Sequence, residues 1–200
     1  MGRRCSSCPQ ISTRPRAIPA GSQIKGDHDM QIHDRGEPLS EQSLQELEEK
    51  LGARLPEPYR RFLQEYNGGR PEPDILDIAG APFGGASVRE IFGVGTERKC
   101  GDLLWNKETL DGAFAEDWLP IADDSSGDIY CIVTKGEDRG HVYFLDYYAS
   151  WEAYFVASDF DAFLQKLRAW TPEELAEIKK LAAENAAANA VELDPDKPVA

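Results

Sequence analysis

Residues 118–148, WLPIADDSSGDIYCIVTKGEDRGHVYFLDYY, hold three short apolar runs divided by turn-forming residues. The runs are Trp118–Ala122, Ile129–Val133 and Val142–Leu145. All are rich in β-branched or aromatic side chains, which fit a pleated, packed surface. The turn Asp123-Asp124-Ser125-Ser126-Gly127-Asp128 follows the first run. The connection Lys135–Gly140 is polar and glycine-bounded, so the last two runs predict an antiparallel hairpin. Neither strand alternates cleanly. Ile129, Cys131 and Val133 fall on one face and Tyr130 and Ile132 on the other, so both faces are expected to be covered. Such a hairpin belongs at the centre of a sheet.

The flanking sequence reads mainly as helix. Ser40 is a predicted N-cap with Glu41 behind it, Leu44, Leu47 and Leu51 recur at helical spacing, and Gly52 supplies the stop. Leu55-Pro56-Glu57-Pro58 opens a second helix, whose Tyr59, Phe62, Leu63 and Tyr66 form one stripe ended by Asn67-Gly68-Gly69. Ile75–Ile78 and Val88–Val94 are short strand candidates around the glycine-rich segment Gly80–Gly85. Asp102–Leu110 predicts a short helix with Leu103, Leu104 and Trp105 facing inward, and Glu152–Ala157 a further strand. Ser158 is the expected cap of a helix carrying Phe160, Phe163, Leu164 and Leu167. Thr171-Pro172-Glu173-Glu174 combines an N-cap, proline at N1 and a capping-box glutamate. It starts a helix, 171–190, packed on or extending from the domain and followed by a polar tail, 191–200. There are no internal repeats.

Charge divides the chain. Residues 1–29 carry five Lys/Arg against two Asp/Glu, while residues 30–200 carry 17 against 34, a net of −17. The leader 1–29 lacks periodicity and reads as a disordered basic segment, consistent with a working protein that starts near Met30. Its Arg and Ser would suit a transit peptide, but no amphipathic helix is evident, nor is a secretory signal. No apolar run approaches the ~20 residues of a membrane-spanning helix, so a cytoplasmic protein is expected. An acidic field repels nucleic acid and acidic membranes, serves solubility, and attracts basic partners.

Catalytic constellations are lacking in the sequence. Cys5 and Cys8 form a C-x-x-C with neither a second zinc-spaced pair nor a βαβ pattern, and Cys131 reads as a small core hydrophobe. The glycine-rich stretches match neither phosphate loop. His141 could meet Ser125 or Ser126, yet no G-x-S-x-G elbow is present. Asp123, Asp124 and Asp128 crowd one turn but miss the calcium-loop pattern, with Ser126 at the third ligand position. No cofactor, metal or catalytic residue is therefore assigned.

Two segments together resemble a known family. They carry Leu51-Gly52, Leu55-Pro56-Glu57-Pro58-Tyr59 and Tyr66-Asn67-Gly68-Gly69, then Leu119–Ala122, Gly127-Asp128 and Gly140–Phe144. In that order and spacing the motifs resemble the SUKH superfamily, shared by fungal cell-wall-assembly regulators and bacterial toxin-immunity proteins. The resemblance covers about residues 40–168. It implies an α+β fold, a single domain over residues 30–170 whose largely antiparallel central sheet is flanked by N-terminal and C-terminal helices. It also implies a non-catalytic role in binding and blocking a toxin domain, often a nuclease, and the acidic charge adds the expectation that this domain is basic. The expected contacts are Asp123, Asp124, Glu137 and Asp138 as exposed acids, with Tyr147, Tyr148 and Trp151 as aromatic anchors. A regulatory scaffold without a toxin is the alternative, and a carboxylate-dependent hydrolase a remote one.

Overall fold

The three apolar runs lie side by side as antiparallel strands. The computed structural model describes residues 30–81 and 84–192, with side chains to residue 184, so the expectations for the leader, for Cys5 and Cys8 and for the end of the tail fall outside it. In chain order the elements are β1 (Gln31–His33), α1 (Glu41–Leu51), α2 (Glu57–Glu65), β2 (Arg70–Glu72), β3 (Ile75–Asp77), β4 (Gly85–Ser87) and β5 (Glu90–Ile91). A 3₁₀ turn (Lys99–Gly101) then leads to α3 (Leu103–Thr109), β6 (Trp118–Asp123), β7 (Ile129–Val133), β8 (Val142–Asp146), β9 (Glu152–Ala157), α4 (Phe160–Gln165) and α5 (Pro172–Glu192). The fold is α+β.

Five strands form the main sheet in the order β5-β6-β7-β8-β9, each antiparallel to its chain neighbour. Every residue of β7 and β8 is buried, as the missing alternation predicts for strands covered on both faces. Pro120 is tolerated in β6 because β5 faces only Ala122 and Asp123, so no outer ladder bond is lost there, and the β6–β7 register shifts just after it. Tyr59, Phe62, Phe160 and Phe163 pack on one another, bringing α2 and α4 together over the sheet. Tyr130 of β7 meets Phe163 from the sheet side.

Helix ends follow the sequence signals with one exception. The Ser40 hydroxyl accepts from the Ser43 N–H, and Gly52 closes α1 at φ 64°. At α4 the cap is Asp159 and not Ser158, since the Asp159 carboxylate accepts from the Ala162 N–H at 2.8 Å. In α3 the inward expectation holds for Leu103 but fails for Trp105, which is exposed. Asn106 is buried instead and its Nδ2 donates to the Cys100 and Asp102 carbonyls.

Other departures lie where the sequence signal is weakest. Of Val88–Val94, only Glu90–Ile91 is strand. The pairs β1–β2 and β3–β4 form two small sheets, of which the sequence marked only β3, within the candidate Ile75–Ile78. Asn67 does more than end a helix. Buried at φ 47°, it donates through Nδ2 to the Glu37 and Val94 carbonyls and accepts from the Val94 N–H at 2.8 Å. Beside it a Cβ on Gly68 would fall 2.6 Å from the Gly93 nitrogen, so only glycine allows this approach. The segment from Ala169 onward forms a second compact unit, with Thr171 and Glu174 closing the capping box at its head.

Candidate functional site

The meander order decides which side chains can share a surface. Strands β6 and β8 end where β7 and β9 begin, so the turns 124–128 and 147–151 lie at one end of the sheet. The β7–β8 turn, with Glu137 and Asp138, lies at the other. Five residues of β7 at ~3.3 Å each separate the two ends by about 16 Å. The seven expected contact residues therefore form two groups.

The turn 135–140 carries Lys135, Glu137, Asp138 and Arg139, whose formal charges cancel. Glu137 is exposed and Asp138 half-buried. Arg139 donates to the Leu55 carbonyl at 2.8 Å, fastening the turn to the head of α2. His141 stands beside it, its Nδ1 3.6 Å from Asp138 and its ring edge-on to Phe155. Ser125 and Ser126 lie at the opposite end, so a hydroxyl–imidazole pair cannot form in this fold.

At the far end the expected exposure of Asp123 and Asp124 is overturned: both are buried. Asp124 Oδ1 accepts from the N–H groups of Ser126, Gly127 and Asp128 at 2.7–2.9 Å. This is the turn chemistry the Asp-Ser-Ser-Gly sequence favours. Asp123 pairs with Arg89. Burial pushes its carboxyl up to about 6 against the pull of that guanidinium, and Glu90 and Asp124 push the same way. Glu90 is buried opposite Asp123 in the strand register and takes Arg98 at 2.7 Å. One oxygen of each of these two carboxylates is buried without a hydrogen-bond partner. Among the described residues no group of three or more His, Cys, Asp and Glu is placed to hold a metal.

Two carboxylates brace the exposed tip. Asp128 Oδ1 accepts from the Tyr147 N–H at 2.8 Å, tying the two turns together, and Asp146 Oδ1 accepts from the Ala149 N–H at 3.0 Å. Burial raises the Asp128 pKa, and so do the charges of Asp124 and Asp146. Ser150 and Trp151 sit at φ 56° and 64°, a conformation that side chains rarely adopt and that such bracing holds in place.

This backbone carries a line of edge-to-face rings. Phe114 and Trp151 pack against the core with centroids 5.9 Å apart. Trp151 meets Tyr147 at 5.2 Å, and Tyr147 meets Tyr148 at 5.4 Å. Tyr147 is 54% exposed and Tyr148 79%. The line thus runs from core to water. Sequence reasoning found its outer three rings but missed Phe114, Asp128 and Asp146. The Asp-Tyr-Tyr run at Asp146-Tyr147-Tyr148, closing an apolar strand, was the available signal.

Compared with family models, residues 38–166, more than half of the chain, match the SMI1 / KNR4 family (SUKH-1). No curated protein matches the chain. Among the described residues no helix is long and apolar enough to cross a membrane.

Proposed function

The chain belongs to the SMI1 / KNR4 family (SUKH-1), and from that premise we propose that it is a non-catalytic immunity protein. It would bind and neutralise a basic toxin domain, possessing no reaction of its own. The observation that carries the reading is the exposed aromatic tip at 147–151, braced by Asp128 and Asp146. Rigid rings that project from a core supply contact area at low entropic cost, which is how partner-binding anchors work. The net charge of −17 over residues 30–200 supports a basic partner, because opposite charge steers encounter.

Glu90 and Asp123 bear on the hydrolase alternative. Each is enclosed and engaged by an arginine, which argues against an acid–base pair open to substrate. Of the two acidic groups, the tip is the better surface, since the charges of the 135–140 turn cancel while Asp124, Asp128 and Asp146 repel one another. The reading places the protein in the cytoplasm, where a toxin must be stopped before it reaches its target.

Co-purification with the product of the adjacent gene tests this. The expected result is a stable complex with a basic protein whose toxicity is abolished. A captured partner with no toxic activity would turn the reading to a regulatory scaffold, and turnover of any substrate by the chain alone would end it.

A further inference from the structure

We infer that the Tyr147–Tyr148 step of the β8–β9 turn receives an arginine side chain of the partner. The inference rests on the protein-binding reading above and names the group bound. Two exposed phenol rings stand edge-to-face at 5.4 Å and 80°, so at least one offers its π-face to solvent. A ring face attracts cations, and a planar guanidinium stacks on it better than an ammonium does.

The surroundings select for positive charge as well. The turn's backbone lies on Asp128 and Asp146, and the charges that shift Asp128 come from Asp124 and Asp146, all acidic. The exposed Glu152 follows at the start of β9. An apolar partner residue would leave this field unanswered, and an acidic one would be repelled. The rings are also held before binding. Trp151 anchors Tyr147 to the core, and the Asp128 and Asp146 bonds to Tyr147 and Ala149 hold the turn that carries left-handed backbone at Ser150 and Trp151.

The test titrates the whole nitrogen-labelled protein with three capped Gly-X-Gly peptides, X being arginine, lysine or citrulline, followed by amide chemical shifts. The arginine peptide is expected to move Tyr147–Trp151 and to bind at least about threefold more tightly than the lysine peptide. The uncharged citrulline peptide, equal in shape, should leave those amides in place. Tyr148→Leu keeps apolar area but removes the ring, and should weaken the arginine response about fivefold. Tyr148→Phe should keep it. Because Tyr148 is mostly in water, neither variant threatens folding. Equal response to arginine and citrulline, equal response to arginine and lysine, or shifts centred on 135–140 would overturn the inference. A co-purified partner that binds Tyr148→Leu as tightly as the unaltered protein would sink it while leaving the immunity reading intact. A specific arginine response without any toxin partner would sustain it and end that reading.

Discussion

Arg89 and Asp123 show how one ion pair makes a pH dependence. The folded Asp123 carboxyl titrates at about 6 against an ordinary value of 3.8, so between those values the folded state holds more protons than the unfolded one. Stability contributed here is full below about pH 4 and declines as pH rises to 6, by up to about 3 kcal/mol. Asp123→Asn should flatten that part of the curve in urea melts taken from pH 4 to 7. Arg89→Ala should cost about 3 kcal/mol at pH 7, where it strands a buried carboxylate, and clearly less at pH 5, where the carboxyl is protonated. A loss independent of pH would show that Arg89 acts through packing alone. Asn67 offers a second case. Asn67→Asp exchanges an amide donor for an acceptor aimed at the Glu37 and Val94 carbonyls, so it should destabilise more than Asn67→Ala, itself costing about 2 kcal/mol. Neither role could be read from sequence. Asn before Gly-Gly announces a helix end, and nothing in a one-dimensional pattern tells which carbonyls 30 residues away it will bridge.

Elements were legible in proportion to how local their causes are. The strands β6–β9 carry their own signal in apolar runs and turns, and α1, α2 and α5 in caps and stripes. At α5, Thr171 and Glu174 bond reciprocally across the first turn, so Thr171→Ala should cost that helix about 1 kcal/mol, seen as faster amide exchange at Glu174 and Leu175. The pairs β1–β2 and β3–β4 have three residues per strand and owe their shape to partners, so the sequence marked only β3, within the candidate Ile75–Ile78, and left β1, β2 and β4 unseen. Asp123 and Asp124 were misplaced for a related reason. An acid in a turn is exposed by default, and only the register against Glu90 and the fold of the 124–128 loop bury these two. The aromatic tip was found because Tyr-Tyr beside a turn is conspicuous, whereas Phe114 meets Trp151 from a distant segment.

Across the whole molecule, charge and topology act together. Residues 30–200 carry −17, and the meander brings Asp124, Asp128 and Asp146 to one end of the sheet while the charges of the 135–140 turn at the other end cancel. Association with a basic partner should therefore slow about tenfold or more between low and high salt in stopped-flow measurements, with dissociation changing less. A salt-independent on-rate would exclude steering.

The sheet's sequential order has a further consequence, for how the protein is made. Because β6, β7, β8 and β9 follow one another through short turns, these three ladders close over short stretches and their contact order is low, whereas β5 joins β6 only across the 3₁₀ turn and α3. Synthesis can therefore zip the sheet strand by strand as the ribosome delivers it, with α4 the last lid and residues 169–200 still in the exit tunnel. A nascent chain stalled past residue 200 should already resist protease through Arg168.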